Sequence, residues 1–145
     1  MPSDPRAAGW ALDPQLERDT TAIGDMPLCR VLFSNNADYP WLILVPRRRD
    51  MVEIIDLRST EQTQMMTEIA DASIALKAVT SCDKLNVAAI GNVVAQLHVH
   101  VIARFRGDAA WPRPVWNATP SRDYEPATRD TLTAALRARL ALTPL

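Results

Sequence analysis

The sequence predicts an α+β domain: one antiparallel sheet of about five strands, one long helix and a C-terminal helix. Three observations carry this. Apolar runs of strand length lie on both sides of a single long stretch with helical periodicity. Strands do not alternate with helices in the way a parallel βαβ array requires. The 145 residues suit one domain at the usual ~100–200 residues each. With 48% hydrophobic and 23% charged residues, such a chain can bury a core without a disulfide or a metal.

Residues 1 to 12, with Pro2, Pro5 and Gly9, read as an extended N-terminal arm. Asp13-Pro14 opens a short helix to about Thr20, an acidic cap followed by proline at the first helical position. Met26 to Phe33 reads as a strand, ended by the turn-rich Ser34 to Pro40. Trp41 to Val45 is a continuous apolar run, the pattern of a strand covered on both faces, and forms a hairpin with the strand before it. Ser59 with Gln62 resembles a capping box. Behind it Met65, Ile69, Ala72, Leu76 and Val79 recur at helical spacing over residues 60 to 81. Leu85 to Ile90 and Gln96 to Arg104 are two further strands around Gly91-Asn92. A Trp- and Pro-rich tail follows, and Pro126 opens a final helix striped by Leu132, Leu136 and Leu140.

Charge narrows the function. Sixteen basic against seventeen acidic residues leave a net charge of -1, so a nucleic acid polymer is a poor partner and a small ligand a better one. No apolar run approaches the ~20 residues of a membrane helix, and the first 25 residues hold no signal-peptide core. A cytoplasmic protein is expected. Cys29 and Cys82 form no CxxC pair and are expected to be reduced thiols without a catalytic role.

The chain has only two histidines, His98 and His100. On a strand, Gln96, His98 and His100 share one face while Leu97, Val99 and Val101 form a plain core face. Paired imidazoles suit phosphate chemistry: one attacks phosphorus, the other donates to a non-bridging oxygen. Structural and metal-binding histidines share that spacing, so the pair alone leaves these readings open. A metal site needs three or more ligands as a rule, and no third histidine or nearby acid supplies one.

Gly91 to Ile102, with Gln96-Leu97-His98-Val99-His100-Val101-Ile102 at its centre, resembles the histidine-triad motif and its preceding loop. Trp41 to Arg47 is similar to that family's apolar strand ending in a Pro-basic step, and with the long helix the resemblance spans residues 15 to 117. It implies a HIT-like fold over residues 13 to 125, with 126 to 145 a helix of the same domain, and a homodimer in which sheets or the 60–81 helices meet. It implies that His98 is the nucleophile at a nucleoside α-phosphate and that His100 binds the phosphate. Asn92 falls beside the scissile phosphate. No metal or cofactor is implied in the covalent step. The family's substrates are nucleoside phosphoramidates, diadenosine polyphosphates and aminoacyl adenylates.

The chain departs from the pattern where Gln96 replaces the first histidine, where Arg47-Arg48-Arg49 follows Pro46, and where Val93 replaces Ser or Thr. Gln96 can still orient the neighbouring imidazole but cannot carry an acid's proton. The catalytic set is therefore read as His98, His100 and Gln96. Asn92, Asn86, Val93, Arg49, Trp111 and Trp116 are read as nucleotide-binding. Four of them have a plainer alternative: Trp111 and Trp116 pack over a sheet edge, Arg49 with its neighbouring arginines forms a solvated turn, and Asn86 satisfies backbone. Trp41 is read as core. The leading reading is an enzyme; a non-catalytic nucleotide-binding module of the same fold is the alternative.

Overall fold

In the computed structural model, which describes residues 4–145, the chain forms a five-stranded antiparallel sheet of order β1-β2-β3-β5-β4 with three helices. Pro2 lies outside the described residues. The strands are β1 (Thr20–Asp25), β2 (Cys29–Ser34), β3 (Trp41–Pro46), β4 (Lys84–Ala88) and β5 (Val99–Arg104), and the helices α1 (Pro14–Asp19), α2 (Ser59–Thr80) and α3 (Pro126–Leu140). This is the expected α+β class.

Alternation along the strands sends two sets of side chains to two layers. Val31, Phe33, Leu42, Leu44, Val99 and Val101 meet Met65, Ile69, Ala72 and Leu76 of α2 and Leu136 of α3 in the main core. On the other face, Leu32, Ile43 and Val45 pack under Leu16 of α1 and under Trp10 and Leu12. A third cluster, Tyr39, Ile102, Ala110 and Val115, lies beneath the tail after β5. β3 and β5 are therefore buried on both faces, as the unbroken apolar run of β3 requires. A buried carboxylate joins the layers: Glu68 of α2 accepts hydrogen bonds from the Leu28 and Cys29 amides at 2.9 and 2.8 Å. Cys29 and Cys82 are free and buried. Burial first, and the Glu68 charge second, push the Cys29 thiol well up, which leaves it unreactive.

The structure corrects several local readings. The described arm is not extended: Ala7 and Trp10 amides close turns on Asp4 and Ala7 carbonyls, and Asp4 Oδ1 holds the Arg6 amide at 2.8 Å. The second strand starts at Cys29, not Met26, and a strand unread in the sequence, β1, precedes it. The helix cap is shifted by one residue, since Glu61 Oε1, not Gln62, accepts from the amide of Arg58 at 2.8 Å. The motif strand begins at Val99, not Gln96, because its last β3 partner is Leu44. Beyond it Leu97 turns to the Met51 carbonyl at 2.9 Å. Among the described residues, no helix is long and apolar enough to cross a membrane.

Candidate active site

The site begins with the register of β3 on β5. Ile43 pairs with His100, so Trp41, two residues back on the same face, is its diagonal neighbour. The Trp41 indole N–H donates to His100 Nδ1 at 3.0 Å. An indole nitrogen can only donate, so His100 Nδ1 carries the lone pair and the neutral ring bears its proton on Nε2. His98 is held the opposite way. Its Nδ1 lies 2.6 Å from the Gln96 carbonyl; a carbonyl only accepts, so Nδ1 carries the proton and the lone pair sits on Nε2. The two imidazoles, centroids 4.9 Å apart, thus present one nucleophilic nitrogen and one donor N–H. Both residues are 6% exposed.

Burial first, and the neighbouring His98 second, bring the His100 pKa down to about 4 from 6.5. His100 therefore stays a neutral donor at physiological pH. The unfolded chain takes up this proton at higher pH than the folded one. Its contribution to stability is thus complete above about pH 6.5 and is lost as pH falls toward about 4, by at most about 3 kcal/mol. We expect nitrogen-15 NMR to find His98 as the Nδ1–H tautomer and His100 as the Nε2–H tautomer. Trp41→Phe should let His100 exchange tautomers and raise its pKa; unchanged His100 shifts would show that the indole does not set this state.

The histidines form one wall of a cavity of about 350 Å³, a size suited to a small ligand. α1 supplies Gln15, Leu16 and Asp19, the sheet supplies Thr20, Ser34, Trp41 and Ile43, and the loop from Ile90 to Val94 closes another side. Asp13 builds α1 by accepting the Gln15 amide at 2.8 Å, with Pro14 in its first turn. Gly91 turns the loop at φ +67°, a conformation that costs glycine little. Trp116 completes the wall, with centroids 5.1 Å from His100 and 5.7 Å from Trp41. Apolar walls with polar groups gathered at the histidines suit a ligand with a flat apolar body and a charged end.

His98, His100, Asn92, Val93 and Trp116 meet at this cavity. Asn92 and Val93 are exposed at its mouth, Val93 at 94%. Four other sequence candidates do not line it. Asn86 accepts from buried Arg104 at 2.8 Å, so its amide oxygen serves an ion pair and not a ribose. Trp111 stacks on that same guanidinium. Arg49 reaches back toward the Pro5 carbonyl at 3.4 Å, while Arg48 binds Glu61 at 2.7 Å, so both side chains are engaged within the chain, outside this cavity. The Gln96 side chain holds the N-terminal segment. Trp41, read as core, is the residue that orients His100. Leu16, Asp19 and Ser34 carry no signal in the sequence, because six helical residues show no periodicity and strand pairing decides the rest. Among the described residues, no three His, Cys, Asp or Glu are grouped to hold a metal.

A family model described as HIT domain matches residues 15–107, well over half the chain. The chain belongs to the histidine-triad (HIT) family. Among solved structures, a histidine triad protein from Bradyrhizobium japonicum is 54% identical over 90% of this chain and 98% of its own, with TM-score 0.90. A HIT protein from Sinorhizobium meliloti is 38% identical over 92% and 98%, TM-score 0.89. Another from Marinobacter aquaeolei is 39% identical over 91% and 96%, TM-score 0.88. None of the curated proteins matches. Similarity over about nine-tenths of the chain extends the HIT fold past residue 107.

Proposed function

We propose that this HIT protein is a nucleotide hydrolase or transferase acting at a nucleoside α-phosphate through a nucleotidyl–His98 intermediate. What carries the reading is the pair of opposite tautomers: a nucleophilic His98 Nε2 beside a donor His100 Nε2–H at one end of a nucleoside-sized cavity. The lone pair of His98 forms the bond to phosphorus, and the leaving group departs with its electron pair. His100, with Asn92 at the mouth, stabilises charge on the non-bridging oxygens. Water then attacks phosphorus, the P–N bond breaks, and the nucleoside monophosphate leaves. The base and ribose occupy the apolar walls from Leu16, Ile43, Val94 and Trp116.

We read Gln96 as a variant of the first triad position that keeps its carbonyl's hold on His98 and gives up proton transfer. Substrates are small nucleotides of the phosphoramidate or diadenosine polyphosphate type, with no cofactor. AMP release from an adenosine phosphoramidate and from a diadenosine polyphosphate tests the reading. Turnover of either is expected, and the faster one names the leaving group. Binding of AMP without turnover of any would instead mark a non-catalytic module. We also propose a cytoplasmic homodimer joined at the β4 edge of the sheet, where Val87 is exposed. Sedimentation as a monomer, or recovery of the protein outside the cytosolic fraction, would contradict these assignments.

A further inference from the structure

The side-chain amide of Gln96 reaches across more than 80 residues of sequence. Its Oε1 accepts from the Asp13 amide and its Nε2 donates to the Ala11 carbonyl, both at 2.8 Å. That pairing copies one rung of a β-ladder, since a carboxamide offers donor and acceptor side by side to the C=O and N–H of residues two apart. An imidazole at this position, with one N–H and one lone pair on opposite sides of a ring, cannot match it. Asp13 is also the residue that caps α1, and α1 carries Gln15, Leu16 and Asp19 into the cavity wall. The backbone carbonyl of the same Gln96 holds His98. One residue thus ties the ligand-facing helix and the nucleophile to a common point.

We propose that Gln96 is a positioning residue, a latch that fixes the N-terminal segment on the catalytic strand and so sets the α1 wall against the nucleoside. The inference rests on the nucleotide reading of the cavity. Glutamine here is then a gain for substrate binding, in a chain whose ligand wall is built from residues 15 to 19. Trp10, Leu12 and Leu16 hold the same segment by packing on Leu32, Ile43 and Val45, so losing the latch should loosen the wall without unfolding the sheet.

The test is Gln96→Leu, similar in length and without hydrogen bonds, with Leu12→Ala as a second variant that loosens the same segment from its apolar side. Hydrogen exchange at residues 11 to 16, the Kd for AMP, and kcat and KM are measured on each. The Asp13 amide should exchange at least about tenfold faster in Gln96→Leu. AMP Kd and KM should rise about 10- to 100-fold, with the smaller part of any loss in kcat. Leu12→Ala should shift KM in the same direction. Unchanged exchange at Asp13 would overturn the latch. Faster exchange with native AMP affinity would overturn its link to the wall, and a loss confined to kcat would assign Gln96 to His98 alone. A native protein that neither binds nor turns over nucleotides would sink the nucleotide reading, while the exchange data would still decide whether the latch exists.

Discussion

Replacing His98 with alanine should lower kcat/KM for nucleotide substrates by about 10⁴-fold or more, because no other group can form the bond to phosphorus. In the proposed mechanism the attacking lone pair is fixed by the Gln96 carbonyl on the far side of the ring, and among the described residues no third histidine stands ready to replace it. His100→Ala removes a charge-stabilising donor and should cost less, about 10²- to 10³-fold in kcat. Steady-state kinetics of the two variants measure the contrast. Equal losses would mean that the imidazoles do not divide the work as their tautomers imply. Full activity in His98→Ala would remove the mechanism.

The second large effect is on stability. Arg104 is 1% exposed, and its guanidinium binds Asp108 through Nε at 2.7 Å and through a second nitrogen at 3.0 Å. It lies 5.6 Å from the ring centroids of Tyr39 and Trp111. Asp108 in turn gathers the Phe105, Ala110 and Trp111 amides. Burial pushes its carboxyl up, but the Arg104 bond, the Phe105 and Trp111 amides and the Arg104 charge together outweigh this and hold it below the usual range. Arg104→Met would leave that carboxylate buried without its partner, a loss of about 3–5 kcal/mol. Urea denaturation should show it, and because this cluster anchors the tail bearing Trp116, nucleotide KM should rise as well. A loss under 1 kcal/mol would mean that the tail is held by its apolar contacts alone. Arg104→Met with Asp108→Leu should cost less than the sum of the single changes, since the second removes the orphaned charge.

What could be read from the sequence follows from how locally each feature is determined. The long helix announces itself through Met65, Ile69, Ala72 and Leu76, and the central strands through unbroken apolar runs, because burial on fixed periods needs no partner to be recognised. β1 passed unread: Thr20-Thr21-Ala22-Ile23-Gly24-Asp25 is a polar edge segment with a bulge near Gly24, where an added Cβ would sit 2.7 Å from Leu142. The start of β5 was equally hidden, since the Gln96 side chain is claimed by the arm and Leu97 by Met51. The two histidines were legible because alternation puts them on one face. Their partners were not: Trp41 reaches His100 only through strand register, and α1 reaches the cavity only through the fold. Asn86, Arg49 and Trp111 were assigned to the ligand on residue type. The structure instead engages Asn86 and Trp111 with Arg104 and Arg49 with the Pro5 carbonyl, outside the cavity.

The central claim is a covalent bond between His98 and the nucleotide α-phosphorus, and trapping that species is its most direct test. The native protein would be mixed with an adenosine phosphoramidate, quenched within one turnover, digested and examined by mass spectrometry under conditions that preserve P–N bonds. The account predicts an adenylate on the peptide that carries His98 and His100, lost in His98→Ala and retained in slow-reacting His100→Ala. Turnover by the native protein with no adenylated peptide, or an adenylate that persists in His98→Ala, would contradict it.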